Sequence, residues 1–253
     1  MICFVIRADD IGYSRAVNYG ILDAVEGGIV KSAGLMVNMP EAQHGFDLLK
    51  YKDVCIGQHT NLCLGTPCSD PEDIPSLVDE NGQFLSSRYY RKLAKEGKDP
   101  ADLDDAVKEV KAQYRRFKEI TGREPAYFEA HAIASDNLWN ALAIVADEYD
   151  LPFCHMLPGD QNATFRGKPV HACPMGSMDP DYDAYAFLKE TVLSAEDETE
   201  PYIYVTHPGY LDAYLLNHSS LTVNRTKEVE MLRDPEVKKW LEERVKLVSY
   251  EEI

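Results

Sequence analysis

Residues 2–10 read Ile2-Cys3-Phe4-Val5-Ile6-Arg7-Ala8-Asp9-Asp10. An unbroken apolar run, rather than an alternating one, marks a strand covered on both faces, as in a parallel sheet. The run ends in an arginine and two adjacent aspartates, so a buried strand delivers charge at its C-terminal end. The same grammar recurs along the chain. Short apolar runs at residues 33–37, 54–56, 126–128, 152–154, 202–205 and 247–250 read as further buried strands.

Amphipathic stretches separate these runs. Ser14 can cap a helix carrying Val17, Ile21, Leu22 and Val25, which Gly27-Gly28 ends. Pro40 starts another. The clearest helix spans residues 100–121, where Leu103, Val107, Val110, Tyr114 and Phe117 form one stripe and Gly122 stops it. Further helices are expected at about 136–149, 181–195, 223–232 and 235–245. Strand–helix alternation over this length predicts an α/β fold, most simply a barrel or an incompletely closed barrel, in one domain spanning residues 1–253. Residues 63–87, with Pro67, Pro71, Pro75 and the turn Glu80-Asn81-Gly82, read as a long functional loop. Residues 158–180 read as a second irregular region, with a hairpin around Arg166-Gly167.

Composition narrows the partners. The 253 residues carry a net charge of −17, which repels nucleic acid and anionic membranes. No segment is apolar for long enough to span a bilayer. The first residues lack a basic n-region, and the six cysteines form no CxxC pair. A cytoplasmic protein with reduced thiols is the resulting expectation.

Four of the apolar runs lead into Asp or His: Asp9-Asp10, Gly57-Gln58-His59, Glu129-Ala130-His131 and Thr206-His207-Pro208-Gly209. Each has an ordinary reading alone. Acidic pairs open turns, a lone histidine after a strand is usually a satisfied polar residue, and His-Pro-Gly is a turn signal. Together they converge, because the C-terminal ends of barrel strands meet on one face. Carboxylate and imidazole donors suit one divalent cation with a position left for water, and Mg²⁺ and Zn²⁺ both remain open. Such an ion polarises an acyl oxygen. A second aspartate can take the water's proton, and a histidine across the site can protonate a departing amine. His44, His171 and His218 lack this context and read as surface or structural. His155 follows the fifth run, at the core, the rim or a pocket.

These residues also resemble the YdjC-like carbohydrate deacetylases. The resemblance runs through Ala8-Asp9-Asp10-Ile11-Gly12, Val17-Asn18-Tyr19-Gly20-Ile21, Ser32-Ala33-Gly34-Leu35-Met36-Val37-Asn38 and Ile56-Gly57-Gln58-His59-Thr60-Asn61-Leu62. It continues through Ser76-Leu77-Val78-Asp79, His131, His207-Pro208-Gly209-Tyr210, Ser219-Ser220 and Arg225. It implies a distorted TIM-like barrel that hydrolyses the N-acetyl group of amino sugars or chitin-type oligosaccharides. It further implies Asp10, His59 and His131 as metal ligands, Asp9 as base, and His207 as acid or substrate-positioning group. A homodimer is compatible with it. Two departures stand out. Arg7 replaces the family's usual Asn, and Glu129-Ala130-His131-Ala132-Ile133 replaces an Asp-Ser/Gly-His motif with further histidines. Arg7, Arg225 and Phe84 are expected at the substrate. Arg7 is also expected to lower the pKa of the adjacent carboxylates, and Phe84 with Tyr89-Tyr90 to offer a sugar-stacking wall. The competing expectations are a non-catalytic sugar-binding barrel and a metal hydrolase or isomerase acting on another carbohydrate.

Overall fold

The computed structural model describes residues 1–132, 134–156 and 161–253. Its strands and helices follow in chain order as β1 (Cys3–Ile11), α1 (Arg15–Glu26), β2 (Ser32–Leu35), α2 (Ala42–Leu49), β3 (Cys55–Thr60), α3 (Ser87–Ala94), α4 (Leu103–Thr121), β4 (Phe128–Ala130) and α5 (Asp136–Tyr149). The second half gives β5 (Cys154–His155), β6 (Thr164–Phe165), β7 (Lys168–Pro169), β8 (His171–Ala172), α6 (Ala184–Leu193), β9 (Tyr202–Thr206), α7 (Ala213–His218), α8 (Val223–Leu232), α9 (Pro235–Glu242) and β10 (Lys246–Leu247). The expected helices and most of the expected strands are present. Helices α3 and α7 were not foreseen. They are short, and polar or mixed in sequence, so no apolar stripe announces them.

The main sheet runs β4-β3-β2-β1-β9-β8, with β10 beside the start of β1, and all its pairings are parallel. A single parallel bridge, Phe128 to Phe153, carries it toward β5. Strands β5, β6 and β7 form a separate antiparallel sheet, and among the described residues no ladder joins it to β8. The architecture is therefore a half-barrel of parallel strands, the incompletely closed barrel expected from the strand pattern and the distorted barrel that the resemblance implies. The expected hairpin at Arg166-Gly167 connects β6 and β7, with φ of 50° and 72° at its two turn residues. Residues 158–160, the start of the expected irregular region, and Ile133 lie outside the described residues.

Alternation along β1 divides the core. Phe4, Ile6 and Ala8 pack with residues of α1, α2, α8 and α9 in the outer layer. Val5 faces the other way, into a cluster with Cys55, Tyr127, Phe165, Ile203 and Tyr250 that fills the inner face. Tyr250 belongs to a 3-10 turn, not to the strand expected at 247–250. Ser249 and Glu252 close a capping box there, and the tyrosine ring packs at a tilt against Tyr127, centroids 4.2 Å apart. Gly57 makes room for this packing, because a Cβ at that position would stand 2.5 Å from the Tyr127 ring.

The loop after β3 is fastened rather than loose. The carboxylate of Glu109, buried on α4, accepts the backbone N–H groups of Cys68 and Ser69 at 2.9 and 2.8 Å. Gln113, one turn on, bonds both the N–H and the C=O of Asn61. Leu62, Ile74, Leu77, Phe84 and Tyr90 pack with α4 and α5. This corrects the reading of Phe84 and Tyr90 as sugar-stacking residues. Burying two aromatic rings is what holds the loop down, and their exposures are 6% and 1%.

Gly57→Ala is predicted to destabilise the protein by about 1–3 kcal/mol through overpacking against Tyr127. Urea denaturation measures this, and a wild-type midpoint would contradict the packed inner face.

Candidate active site and metal centre

The site forms where β1, β3, β4 and β9 end. Two consecutive side chains of a strand ordinarily point to opposite faces. Asp9 and Asp10 do not, because β1 carries one extra residue. Its pairing with β2 advances from Ala8 to Ile11 while β2 advances only from Ala33 to Leu35. Asp10 absorbs the bulge with φ of 79°, a conformation that aspartate tolerates better than most side chains. Both carboxylates thus enter the site.

Asp10 meets two histidines. Its Oδ1 lies 3.3 Å from His59 Nε2 and 3.1 Å from His131 Nδ1, and the two ring nitrogens are 2.9 Å apart. Metal–ligand bonds of ~2.0–2.2 Å place neighbouring donors on one ion about 3 Å apart, so this triangle has the size of a coordination face. Its chemistry fits as well. The other nitrogen of His59, Nδ1, contacts Glu129 Oε1. A proton held there turns the Nε2 lone pair toward Asp10 and His131, the carboxylate–histidine arrangement that orients metal ligands. Asp10 Oδ1 is buried and has no hydrogen-bond donor. A cation satisfies that oxygen and the ring nitrogens at once. Gly34 leaves the space: a Cβ there would stand 2.8 Å from Glu129 Oε1 and 3.0 Å from His59 Cβ.

Two arginines complete the framework. Arg7 holds Asp9 in a fork, Nε to Oδ1 at 2.6 Å and Nη2 to Oδ2 at 2.8 Å. It also approaches Glu129 Oε2 at 3.4 Å and donates to the Tyr250 hydroxyl at 3.1 Å. Arg225, on α8, donates to Asp10 Oδ2 at 2.7 Å and to the Leu221 carbonyl at 3.0 Å, and lies over the Tyr13 ring. Burial acts to raise both aspartyl pKa values, but the guanidiniums and histidines outweigh it. Asp9 is lowered and Asp10 lies well below the usual carboxylate range. Asp9, Asp10, Glu129 and Glu228 are all buried, as are Arg7 and Arg225.

His207 follows β9. Its ring Nδ1 is buried without a partner, and its backbone N–H donates to Glu228 Oε2 at 2.6 Å. Burial pushes the ring down to about 4, against the pull of Asp10 and Asp9.

The structure thus brings together Asp9, Asp10, His59, His131 and His207. It places the three expected substrate residues elsewhere. Arg7 and Arg225 are 4% and 2% exposed, with their donors committed to Asp9 and Asp10, and Phe84 lies under the loop. Buried guanidiniums need paired partners, which the carboxylates of the site supply. Of the remaining histidines, His44 bonds Asn18, His171 pairs with Asp197, His218 bonds the Tyr214 carbonyl, and His155 packs edge-on against Trp139. Sequence reasoning passed over Glu228. It stands three residues after Arg225, on the same helical face, but in the middle of an expected helix rather than at the end of an apolar run.

Glu129→Gln is predicted to weaken divalent-metal affinity roughly 10–100-fold, the usual cost of losing a carboxylate behind a ligating histidine. Calorimetric titration of the metal-free protein tests this, and wild-type affinity would remove Glu129 from the metal's support.

Residues 3–243 match the family model described as YdjC-like protein. Carbohydrate deacetylase 2 of Listeria innocua is 32% identical, covering 98% of both chains. The chitooligosaccharide deacetylase of Serratia marcescens is 29% identical over 95% of this chain and 94% of its own. Among solved structures, an Enterococcus faecalis protein named for cellobiose-phosphate cleavage superposes with a TM-score of 0.78 at 25% identity, over 99% of this chain and 98% of its own. The family 4 acetyl xylan esterase of Clostridium thermocellum, solved with a cobalt ion, shares the fold alone, with a TM-score of 0.51 at 13% identity over 99% of this chain and 89% of its own. With the fold, the acidic bulge and the two ligand-spaced histidines in place, the chain belongs to the YdjC-like family.

Proposed function

We propose that this protein is a metal-dependent carbohydrate N-deacetylase, hydrolysing the acetamide of an amino sugar or chitin-type oligosaccharide to acetate and a free amine. The observation that carries the reading is the triangle of Asp10, His59 and His131 beside an aspartate held in a fork by arginine. The names of the full-length relatives point to the same substrate class.

Asp10, His59 and His131 would hold the ion, and a divalent ion bound there supplies Lewis acidity toward the acyl oxygen and acidifies water. The remaining steps belong to the protein. Asp9 is kept ionised by Arg7 and takes the proton of the attacking water. The arginine fork fixes the direction of its lone pairs, so Arg7 serves the base rather than the sugar. As the C–N bond breaks, the amine nitrogen needs a proton; the one that Asp9 took from the water passes to it by way of His207, which gains a proton only for that transfer. Burial keeps its ring neutral at rest. Negative charge developing on the attacked carbonyl opposes that effect and favours the protonated ring as the amine departs. The fastened loop after β3 begins at the rim beside His59. Its role in this reading is a fixed wall of the substrate cleft.

The direct test is acetate release from N-acetylglucosamine and chitooligosaccharides, assayed after chelation and after restoring Mg²⁺ or Zn²⁺. Metal-dependent release is expected, and no release with any sugar and either metal would refute the reading. Asp9→Asn is predicted to lower kcat by ~10²–10⁴-fold with metal content retained, whereas Asp10→Asn loses the metal. Equal metal loss in the two variants would abolish this division of roles.

A further inference from the structure

Helix α8 reaches the site with two charged side chains one turn apart. Arg225 grips Asp10, and its Nη1 lies 3.4 Å from the His207 carbonyl oxygen. Glu228 accepts the His207 N–H at 2.6 Å through Oε2, and the Tyr182 hydroxyl at 3.1 Å through Oε1. Both peptide polar groups of His207 are therefore met by side chains of one helix. Beyond Thr206 no ladder pairing continues, and Pro208-Gly209 follow at once. The backbone at this point has no sheet to hold it. Gly209 packs tightly on α1, where a Cβ on Gly20 would stand 2.5 Å from its Cα. The strand end is squeezed between α1 and α8, where Glu228 holds the His207 N–H, Arg225 its carbonyl, and the Arg225 carbonyl accepts the Gly209 N–H.

We propose that Glu228 is a positioning residue for His207: its carboxylate sets where the imidazole stands relative to the metal-binding triangle, and it touches neither substrate nor metal. The inference rests on the reading of His207 given above. Glu228 is 1% exposed. A carboxylate buried that deeply is costly unless its oxygens are used, and both are. The groups around it are Tyr182, Tyr204 and His207, its helix neighbour Arg225, and Asp9 of β1. Burial raises its pKa to about 7, with the His207 N–H, Tyr182 and Arg225 acting in the opposite direction. The bond to His207 is then strongest above neutrality, where the carboxylate is ionised.

A double-mutant cycle tests the proposal, because two residues acting through one group do not contribute additively. Glu228→Leu is expected to lower kcat on the order of 10²-fold, as small misplacements of reacting groups do, with KM and bound metal unchanged. Glu228→Gln, whose amide oxygen can still accept the N–H, should recover most of that loss. In a His207→Ala background, Glu228→Leu should cost nothing more. An undiminished kcat in Glu228→Leu, or a full additional loss in the double variant, would overturn the proposal while leaving the deacetylase reading in place. A His207→Ala enzyme with wild-type kcat would overturn both this proposal and the role given to His207. An amide NMR spectrum gives a readout independent of turnover. The His207 amide proton should move downfield as pH rises through about 7 and stay still in Glu228→Gln, and a signal equally insensitive in the wild type would count against the bond.

Discussion

One extra residue in the central strand governs this site. Without the bulge at Asp9-Asp10, alternation would send one carboxylate inward and the other into the helix layer among Ile6, Ala8 and Ile11. A buried unpaired carboxylate there would cost several kcal/mol. The left-handed backbone at Asp10 instead brings both into the same space with different partners. Asp10 faces two histidines and Arg225, and Asp9 faces Arg7. The chemistry assigned to the pair, one ligand and one base, follows from that division.

Gathering so much charge inside a barrel demands compensation, and the neighbouring residues provide it in layers. Arg7 lies between Asp9, Glu129 and Tyr250, tying Asp9 to the carboxylate behind His59 and to the aromatic floor. Arg225 and Glu228 bring opposite charges from α8 to Asp10 and His207. The departures at Arg7 and Glu129 are thereby linked: the two side chains approach each other at 3.4 Å, and the longer Glu129 reaches His59 across the space that Gly34 leaves. The apolar cluster of Val5, Tyr127, Ile203 and Tyr250 closes the inner face below them. Among the described residues, no helix is long and apolar enough to cross a membrane.

Much of this was legible in the sequence, for a physical reason. Strands covered on both faces write themselves as apolar runs, and a barrel presents functional groups where those runs end, so Asp9, Asp10, His59, His131 and His207 stood out together. The apolar stripe of α4 and its Gly122 stop were equally plain. Other features had no such signature. Arg225 and Phe84 were expected at the substrate, because one sequence does not distinguish a side chain that faces a ligand from one that faces a buried partner. Glu228 was silent for the same reason. The bulge at Asp10 leaves no mark in residue types, and Tyr250 turns inward only because a 3-10 turn replaces the end of a strand.

The central claim is that Asp10, His59 and His131 form one metal site. Anomalous diffraction at the absorption edge of zinc, from crystals grown with that ion, tests it most directly. The account predicts one strong peak at ~2.0–2.2 Å from Asp10 Oδ1, His59 Nε2 and His131 Nδ1. The three acidic and imidazole groups of Asp9, His59 and Glu129 also lie close enough to hold an ion. A peak on the His59 Nδ1 side, between Asp9 and Glu129, or no peak at all, would contradict it.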